Sequence, residues 1–303
     1  MIKCDLLIVG CGPAGMMAAI YAKRANKNII ILDKGNPGGR VLSTYKVENY
    51  LGFSRVSAEE LVNKMIDHLH DLEIEDTYGD VVDITYSDGL YIVQTDISQY
   101  QAKAVIVASG TEPRPLGIKN EKQYLSRGLS YCAVCDGIFF ENKDVVVVGG
   151  GDSALEESIY LSEIAKSVTI IHDLPQLTAA AGLINRVIKN PKISLLHNSK
   201  VVELNGSPLL QSITVQNLDN LDYSSLDVQG LFVYVGNLPR TNFLKNLNII
   251  DQSGFISVNS EMQTVFPGLF ACGDVTKKDY RLIATAISDG AIAALSAVKY
   301  LDL

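Results

Sequence analysis

The chain has 303 residues, 47% of them hydrophobic and 20% charged, enough apolar material for two packed domains at roughly 150 residues each, which excludes a disordered chain. Asp plus Glu number 34 against 26 Lys plus Arg, and the net charge of −8 argues against phosphate backbones and anionic lipid, so neither nucleic acid nor a membrane surface is expected as a partner. No apolar run reaches the roughly 18 residues of a membrane helix, and Leu6 to Gly10 opens into a glycine turn with no cleavage site behind it; a soluble cytoplasmic protein is expected.

The first element is a buried strand, Leu6-Leu7-Ile8-Val9, running into Gly10-Cys11-Gly12-Pro13-Ala14-Gly15 and an apolar helix over 16–23; a strand at 28–32 completes a strand-helix-strand crossover. Residues 61–72 read as a helix on which His68 and His70 are solvated rather than metal-binding. Residues 79–94 alternate and turn at Ser87-Asp88-Gly89, and 104–110 is a buried strand ending in glycine. The arrangement then repeats. Val145-Val146-Val147-Val148 meets Gly149-Gly150-Gly151-Asp152-Ser153-Ala154, with a helix over 155–165 and a strand at 167–171. Residues 201–215 alternate across Asn205-Gly206, and 231–236 is the matching buried strand.

Glycine and proline mark two joints, at 110–115 and 236–240, so the second unit is inserted between two pieces of the first. Beyond the second joint, 254–258 and 269–274 read as strands and 280–300 as an Ala-rich helix that rejoins the first domain. The expected fold is α/β: two Rossmann-like (three-layer ββα) dinucleotide-binding domains, the second inserted into the first, bounded at 1–113 plus 242–303 and at 114–241.

Each glycine turn lets backbone approach a pyrophosphate, whose charge the helix N-terminus favours. An acidic residue at the end of the second strand then reads ribose hydroxyls, and Asp33, 23 positions after Gly10, stands there; a plain turn residue is the competing reading. The same count from Gly149 lands on His172, with Asp173 next. Five cysteines, odd and scattered, are not a disulfide framework. Cys132-Ala133-Val134-Cys135-Asp136 carries the chemistry: the two thiols can close a small disulfide or share a proton, and such spacing lowers one thiol pKa. Zinc is the alternative, but Cys4, Cys11, Cys272 and the four histidines show no ligand spacing, so no metal is expected. Asp136 is read either as a proton relay to a leaving thiolate or as a helix-capping carboxylate.

Gly10 to Gly15, Pro37-Gly38-Gly39, Val47-Glu48-Asn49-Tyr50, the block from Ser130 to Gly137, Gly149 to Ala154 and Gly273-Asp274-Val275 stand in the order of one known family. Over its whole length the chain resembles the low-molecular-weight thioredoxin reductases. The resemblance implies an FAD in the outer domain, held by Gly10, Gly12, Pro13, Ala14, Gly15, Asp33, Lys34, Gly39, Arg40, Asn49, Val82, Ala108, Gly110, Gly273, Asp274, Arg281, Leu282 and Ala284. It implies a nicotinamide dinucleotide at Gly149, Gly151, Asp152 and Ser153, and a redox pair in which Cys135 faces the flavin, Cys132 exchanges with the protein substrate and Asp136 is the acid. A homodimer is usual for the family.

Three departures from the family pattern bear on the donor. Members that use NADPH carry His-Arg-Arg-x-x-x-Arg after the second crossover, whose arginines clamp the 2′-phosphate; here the stretch is His172-Asp173-Leu174-Pro175-Gln176-Leu177-Thr178. Glutamines near the flavin are replaced by Arg40 and Leu282. The expected function is a flavin-dependent disulfide reductase passing electrons from NADH, in preference to NADPH, through FAD and the Cys132/Cys135 pair to thioredoxin or a similar small protein. The alternatives are a reductase fed by ferredoxin or another flavoprotein, its second nucleotide site vestigial, and a flavin redox sensor with little turnover. Because the pair must meet both flavin and protein substrate, the inserted domain is expected to turn about the two joints.

Overall fold

The structure, a computed structural model, describes residues 1–44 and 46–303. The chain divides into two compact units, one formed by 1–42, 46–112 and 238–303, the other by 43–44 and 113–237.

In the first unit the parallel strands Asp76–Tyr78, Ile29–Asp33, Ile2–Val9 and Gln99–Val107 lie side by side in that order. The long strand Gln99–Val107 then forks. Its first half pairs antiparallel with Leu90–Thr95, which hairpins to Val81–Ser87; its second half pairs parallel with Leu269–Ala271. Successive side chains of a strand face opposite ways, so Leu6 and Ile8 bury into one core and Leu7 and Val9 into the other. Burial on both faces is why this strand reads as an unbroken apolar run.

The first of those cores holds the helices Pro13–Arg24 and Ile283–Leu301, packed through Ala14, Ala18, Ala293, Ala294 and Ala297. Their approach is close enough that a Cβ on Gly290 would lie 2.1 Å from the Ala14 carbonyl oxygen. A bulkier stripe would force the helices apart and open the sheet face beneath them.

The second unit repeats the plan. Leu129–Ser130, Gly230–Val233, Asp144–Val148, Ser167–Ile171 and Ile193–Leu196 form a parallel sheet in that order. Val146 and Val148 pack against Val201, Leu204, Ile213 and Val215 of an antiparallel sheet made by Ser199–Asn205, Ser212–Asn217 and Tyr223–Asp227. Val145 and Val147 point the other way, onto Ala154, Leu155 and Leu161 of the helix Asp152–Ile164 and Val187 of Ala181–Ile188. Each such valine contributes roughly 1.5 kcal/mol or more by leaving water. The three layers are the ββα arrangement the sequence predicts.

Several expectations are corrected. Residues 254–258 form no strand: Ile256 makes only isolated bridges, and Gly254, at φ +89°, sits in a turn tied by Asp251 to the amides of Ser253 and Phe255. The strands over 269–274 and 231–236 stop at Ala271 and Val233. The last helix begins at Ile283 rather than 280, because the Leu282 amide donates to Thr285 Oγ1 at 3.1 Å and Leu282 is extended. Both helices after the glycine turns begin earlier than predicted, at Pro13 and Asp152, each with a glycine as its N-cap. The strand Tyr223–Asp227, the helix Ala181–Ile188 and the strand Ile193–Leu196 have no counterpart in the sequence reading. Among the described residues no helix is long and apolar enough to cross a membrane.

Candidate active site

Strand Ile2–Val9 delivers the chain to Gly10, where φ is +108° and a Cβ would lie 2.4 Å from the Ala108 carbonyl oxygen. Only glycine passes there. Five residues on, a Cβ on Gly15 would lie 1.9 Å from the Gly10 oxygen, so the helix starts hard against the turn. The neighbouring strand ends in Asp33, whose Oδ2 accepts from the Cys11 amide at 2.6 Å and whose Oδ1 accepts from the Gly35 amide at 2.9 Å. Each carboxylate oxygen keeps acceptor capacity for a further donor.

That carboxylate lines a cavity of about 350 Å³ together with Gly10, Lys34, Val82, Arg240 and Lys245. The Arg240 amide donates to Gly110 O at 3.1 Å and the Ser109 hydroxyl donates to Arg240 O at 2.7 Å, which holds the return segment at the cavity's edge. A glycine cradle without room for a Cβ, a fixed carboxylate and three cations, Lys34, Arg240 and Lys245, on one cavity match the ADP half of a dinucleotide. Cys11 is buried behind the turn, and burial raises its thiol pKa, so it is an inert packing residue.

A second group of charges lies at the start of the last helix. Asp274 follows Gly273, whose amide donates to Asp289 Oδ2 at 3.0 Å; Lys278 pairs with the same Asp289 oxygen. Burial pushes the Asp274 carboxyl above its usual range, against the pull of Lys278, Arg281 and Arg40. Arg281 is held over the Phe255 ring, 4.3 Å from its centroid. Leu282 caps the helix and Ala284 sits in its first turn, while Arg40 belongs to the short turn Gly39–Ser43. Gly39 and Gly12 face one another, a Cβ on Gly39 reaching 3.3 Å from the Gly12 Cα. Asn49 is exposed, in the bend between the paired strands Lys46–Val47 and Val56–Ser57.

In the second unit Cys132 and Cys135 form a disulfide, with Cα atoms 5.3 Å apart. Cys132 is extended and caps the four-residue helix Ala133–Asp136, so its Sγ accepts from the Cys135 amide at 3.1 Å. An amide aimed at this sulfur favours a thiolate there once the bond opens. Ser130, buried on the adjoining strand, accepts from the Cys132 amide at 3.0 Å and donates its hydroxyl to Asp136 Oδ2 at 2.5 Å. The Ala133 amide donates to the Tyr234 hydroxyl at 2.9 Å. The loop bearing both sulfurs is therefore fixed from two strands, and Cys135 is the more exposed of the pair.

The second glycine turn stands on the same sheet. Gly149, at φ +137°, passes the Tyr234 carbonyl as Gly10 passes Ala108. A Cβ on Gly150 would lie 2.6 Å from the ring of His172, which is buried beneath the turn, its Nε2 bonded to Gln176 O at 3.1 Å. Thr178 donates its amide to Gly150 O at 2.8 Å, and the Ala180 amide donates to Asp152 Oδ1 at 2.7 Å. Gly151 and Ser153 open the helix beside Asp152. His68 and His70 are exposed on Ala58–Asp71, and among the described residues no group of three His, Cys, Asp or Glu side chains is placed to hold a metal.

The pyridine nucleotide-disulphide oxidoreductase profile matches residues 4–290. A thioredoxin reductase of Bacillus subtilis is 41% identical over 301 residues, 98% of this chain and 95% of that one. The chain belongs to this family. Within it the similarity runs to the low-molecular-weight thioredoxin reductases, so the protein is an enzyme of the oxidoreductase class. The crystal structure of Lactococcus lactis thioredoxin reductase superposes with a TM-score of 0.97 at 40% identity, covering 99% of both chains. That of T. acidophilum thioredoxin reductase gives 0.93 at 35% identity, again over 99% of both.

For a pyridine nucleotide-disulphide oxidoreductase, the sequence-predicted residues gather into four clusters. Gly10, Asp33, Lys34 and Val82 meet at the cavity, with Ala108 against Gly10 and Gly110 bonded to Arg240; Arg40, Gly273, Asp274 and Arg281 meet at the last helix; Cys132 and Asp136 both bond Ser130, with Cys135 tied to Cys132; Gly149, Gly151, Asp152 and Ser153 make the second turn, and Asn49 lies exposed outside all four. Sequence reasoning missed the cavity residues Arg240 and Lys245 and the supports Ser130 and Tyr234. The joint Pro239-Arg240 was the available signal for the first of these, a cation held where the chain re-enters the unit.

Proposed function

We propose that the chain, loaded with FAD, reduces the disulfide of thioredoxin or a thioredoxin-like protein with electrons from a reduced nicotinamide dinucleotide. The observation that carries this reading is the Cys132–Cys135 disulfide, held on the same sheet as a second dinucleotide-type glycine turn. When bound, FAD supplies a carrier that takes two electrons from the nicotinamide and gives them to this disulfide. The residues that would hold it are Gly10, Asp33 and Lys34 of the cavity, Gly12, Pro13, Ala14 and Gly15 where the glycine turn opens the first helix, and, at the last helix, Asp274 and the first-turn amides near Ala284.

Two electrons and one proton open the Cys132–Cys135 bond to a thiolate and a thiol. The Cys135 amide keeps the negative charge on Cys132, which attacks the substrate disulfide and forms a mixed disulfide, releasing one substrate sulfur as a thiolate. Asp136, positioned by Ser130, relays a proton from solvent to that leaving sulfur. Cys135 then attacks Cys132, its own proton passing to the second substrate sulfur as that thiol leaves, and the internal bond re-forms. Both electrons, the proton taken up with them and the proton from solvent end on the substrate.

A steady-state assay with thioredoxin and the FAD-loaded chain tests the reading. Turnover that persists in Cys135→Ser would sink it, and an enzyme that binds FAD but turns nothing over would be a redox sensor instead. A second reading has ferredoxin or another flavoprotein as donor; it is favoured by the absence of any Lys or Arg from residues 172–178 beside the second glycine turn. Sedimentation of the loaded protein tests the homodimer that belongs to the same reading.

A further inference from the structure

We propose that the second glycine turn takes NADH rather than NADPH, and that Asp173 is the residue that selects it. The inference rests on the reading above, that a nicotinamide dinucleotide binds at this turn.

The turn itself is competent for either molecule. Gly149 brings the backbone past Tyr234 O, and the 13-residue helix Asp152–Ile164 opens immediately behind Gly151, so its first amides are available to a pyrophosphate. Selection between the two cofactors falls to the end of the adjoining strand, Ser167–Ile171, where the adenosine ribose of a dinucleotide lies. In the first unit the corresponding corner holds Asp33, tied down by two amides. Here the equivalent register place is His172, which is turned inward: its ring occupies the space a Cβ on Gly150 would need, and its Nε2 is committed to Gln176 O. The carboxylate comes one residue later. The Asp173 side chain is 68% exposed and lies 3.5 Å from His172 Nδ1.

The rest of the corner offers a phosphate nothing. Residues 172–178 contain no Lys or Arg. Thr178 is exposed but commits its amide and hydroxyl to Gly150 O at 2.8 and 3.3 Å, and Leu174 is an exposed apolar side chain. A free carboxylate accepts from two vicinal ribose hydroxyls, which NADH presents. A 2′-phosphate removes one of those donors and brings like charge against the carboxylate, so one side chain both attracts the first cofactor and rejects the second.

The test uses the FAD-loaded full chain, with NAD⁺ and NADP⁺ binding measured by calorimetry on the oxidised protein and anaerobic flavin bleaching by NADH and NADPH followed in parallel. NAD⁺ is expected to bind about tenfold or more tighter than NADP⁺. Asp173→Ala should weaken NAD⁺ about tenfold at unchanged FAD content, and Asp173→Arg with Leu174→Arg should tighten NADP⁺ by a similar factor. Wild-type protein that binds NADP⁺ as tightly as NAD⁺, or an Asp173→Ala variant with unchanged NAD⁺ affinity, overturns the proposal while leaving the nicotinamide reading intact. If neither nucleotide binds or bleaches, yet dithionite-reduced protein still reduces thioredoxin, the nicotinamide reading fails and takes the proposal with it.

Discussion

The two glycine turns share a backbone and differ in what they present. Gly10 and Gly149 both have positive φ, and a Cβ on either would strike a carbonyl oxygen of the neighbouring strand end, at 2.4 and 2.3 Å. The next residue differs, Cys11 against Gly150, because of what lies 23 positions beyond each first glycine. Asp33 reaches up to bond the Cys11 amide and leaves room for that residue's Cβ; the His172 ring lies flat against Gly150 and leaves none. The fingerprint therefore sets how closely backbone approaches a pyrophosphate, while the end of the second strand sets which ribose is accepted.

The severest way to break this comparison is to fill the first turn. Gly10→Ala should cost several kcal/mol of stability and abolish FAD binding, since backbone has to move to admit the Cβ. Gly150→Ala in the second turn should lose stability while leaving FAD bound, its Cβ meeting the His172 ring at 2.6 Å where the first turn carries the Cβ of Cys11. Flavin absorbance and thermal unfolding of the two variants check this, and a Gly150→Ala variant as stable as the wild type would show that the turns do not differ as described. Next in size, Cys135→Ser should abolish thioredoxin reduction while FAD content stays at the wild-type level, because the disulfide belongs to the second unit alone.

A finer division comes from Asp33. Removing a carboxylate that bonds two amides and serves a ribose should weaken FAD by about 1.5–3 kcal/mol, roughly ten- to a hundredfold, with NAD⁺ binding unchanged. Equilibrium dialysis of Asp33→Ala against FAD measures it, and a matching loss of NAD⁺ affinity would mean the units are not independent binding bodies.

The smallest expected effect concerns the helices behind the turns. Eight residues after its first glycine the first helix has Ala18, fully buried, and the second has Glu157, also buried, with an Oε2 that has no hydrogen-bond partner. Burial, opposed by a hydrogen bond with Thr44 and reinforced by the charge of Glu156, raises the Glu157 pKa to about 8. The folded chain thus holds a proton that the unfolded chain has released above pH 4–5, so stability should fall as pH rises from about 4.5 to 8 and level off above. Glu157→Gln should remove that slope and gain on the order of a kcal/mol or more at pH 8. Urea unfolding at several pH values follows it; a variant with the wild-type slope would assign the effect elsewhere.

Much of this was legible because both crossovers are buried on two faces, and a run such as Val145 to Val148 has few other readings once a glycine turn follows it. The redox pair was legible from its spacing, but its supports were not: Tyr234 reaches it from a strand end about a hundred residues away, and Ser130, though only two residues before Cys132, carries no local mark that its hydroxyl would bond both the Cys132 amide and Asp136. The helix Ala181–Ile188 was missed because its eight residues include Gly182 and carry no side-chain cap. Tyr223–Asp227 was missed because its residues are mostly exposed and polar, which gives an edge strand no apolar alternation to read. The over-reading at 254–258 came from alternation that a positive-φ glycine and an Asp251 turn override. Gly290 in the Ala-rich helix carried no local signal of its role, which comes from Ala14 on the glycine-turn helix, whose carbonyl oxygen leaves no room for a Cβ.

The central claim, that electrons entering at the second turn reach the sulfur pair through FAD, is tested most directly by counting thiols. The FAD-loaded chain has five cysteines, of which Cys4, Cys11 and Cys272 are free. After anaerobic treatment with NADH, denaturation and alkylation, mass spectrometry should find five modified cysteines per chain, against three without NADH or without FAD, the two gained being Cys132 and Cys135. A flavin that bleaches while the count stays at three would contradict the account.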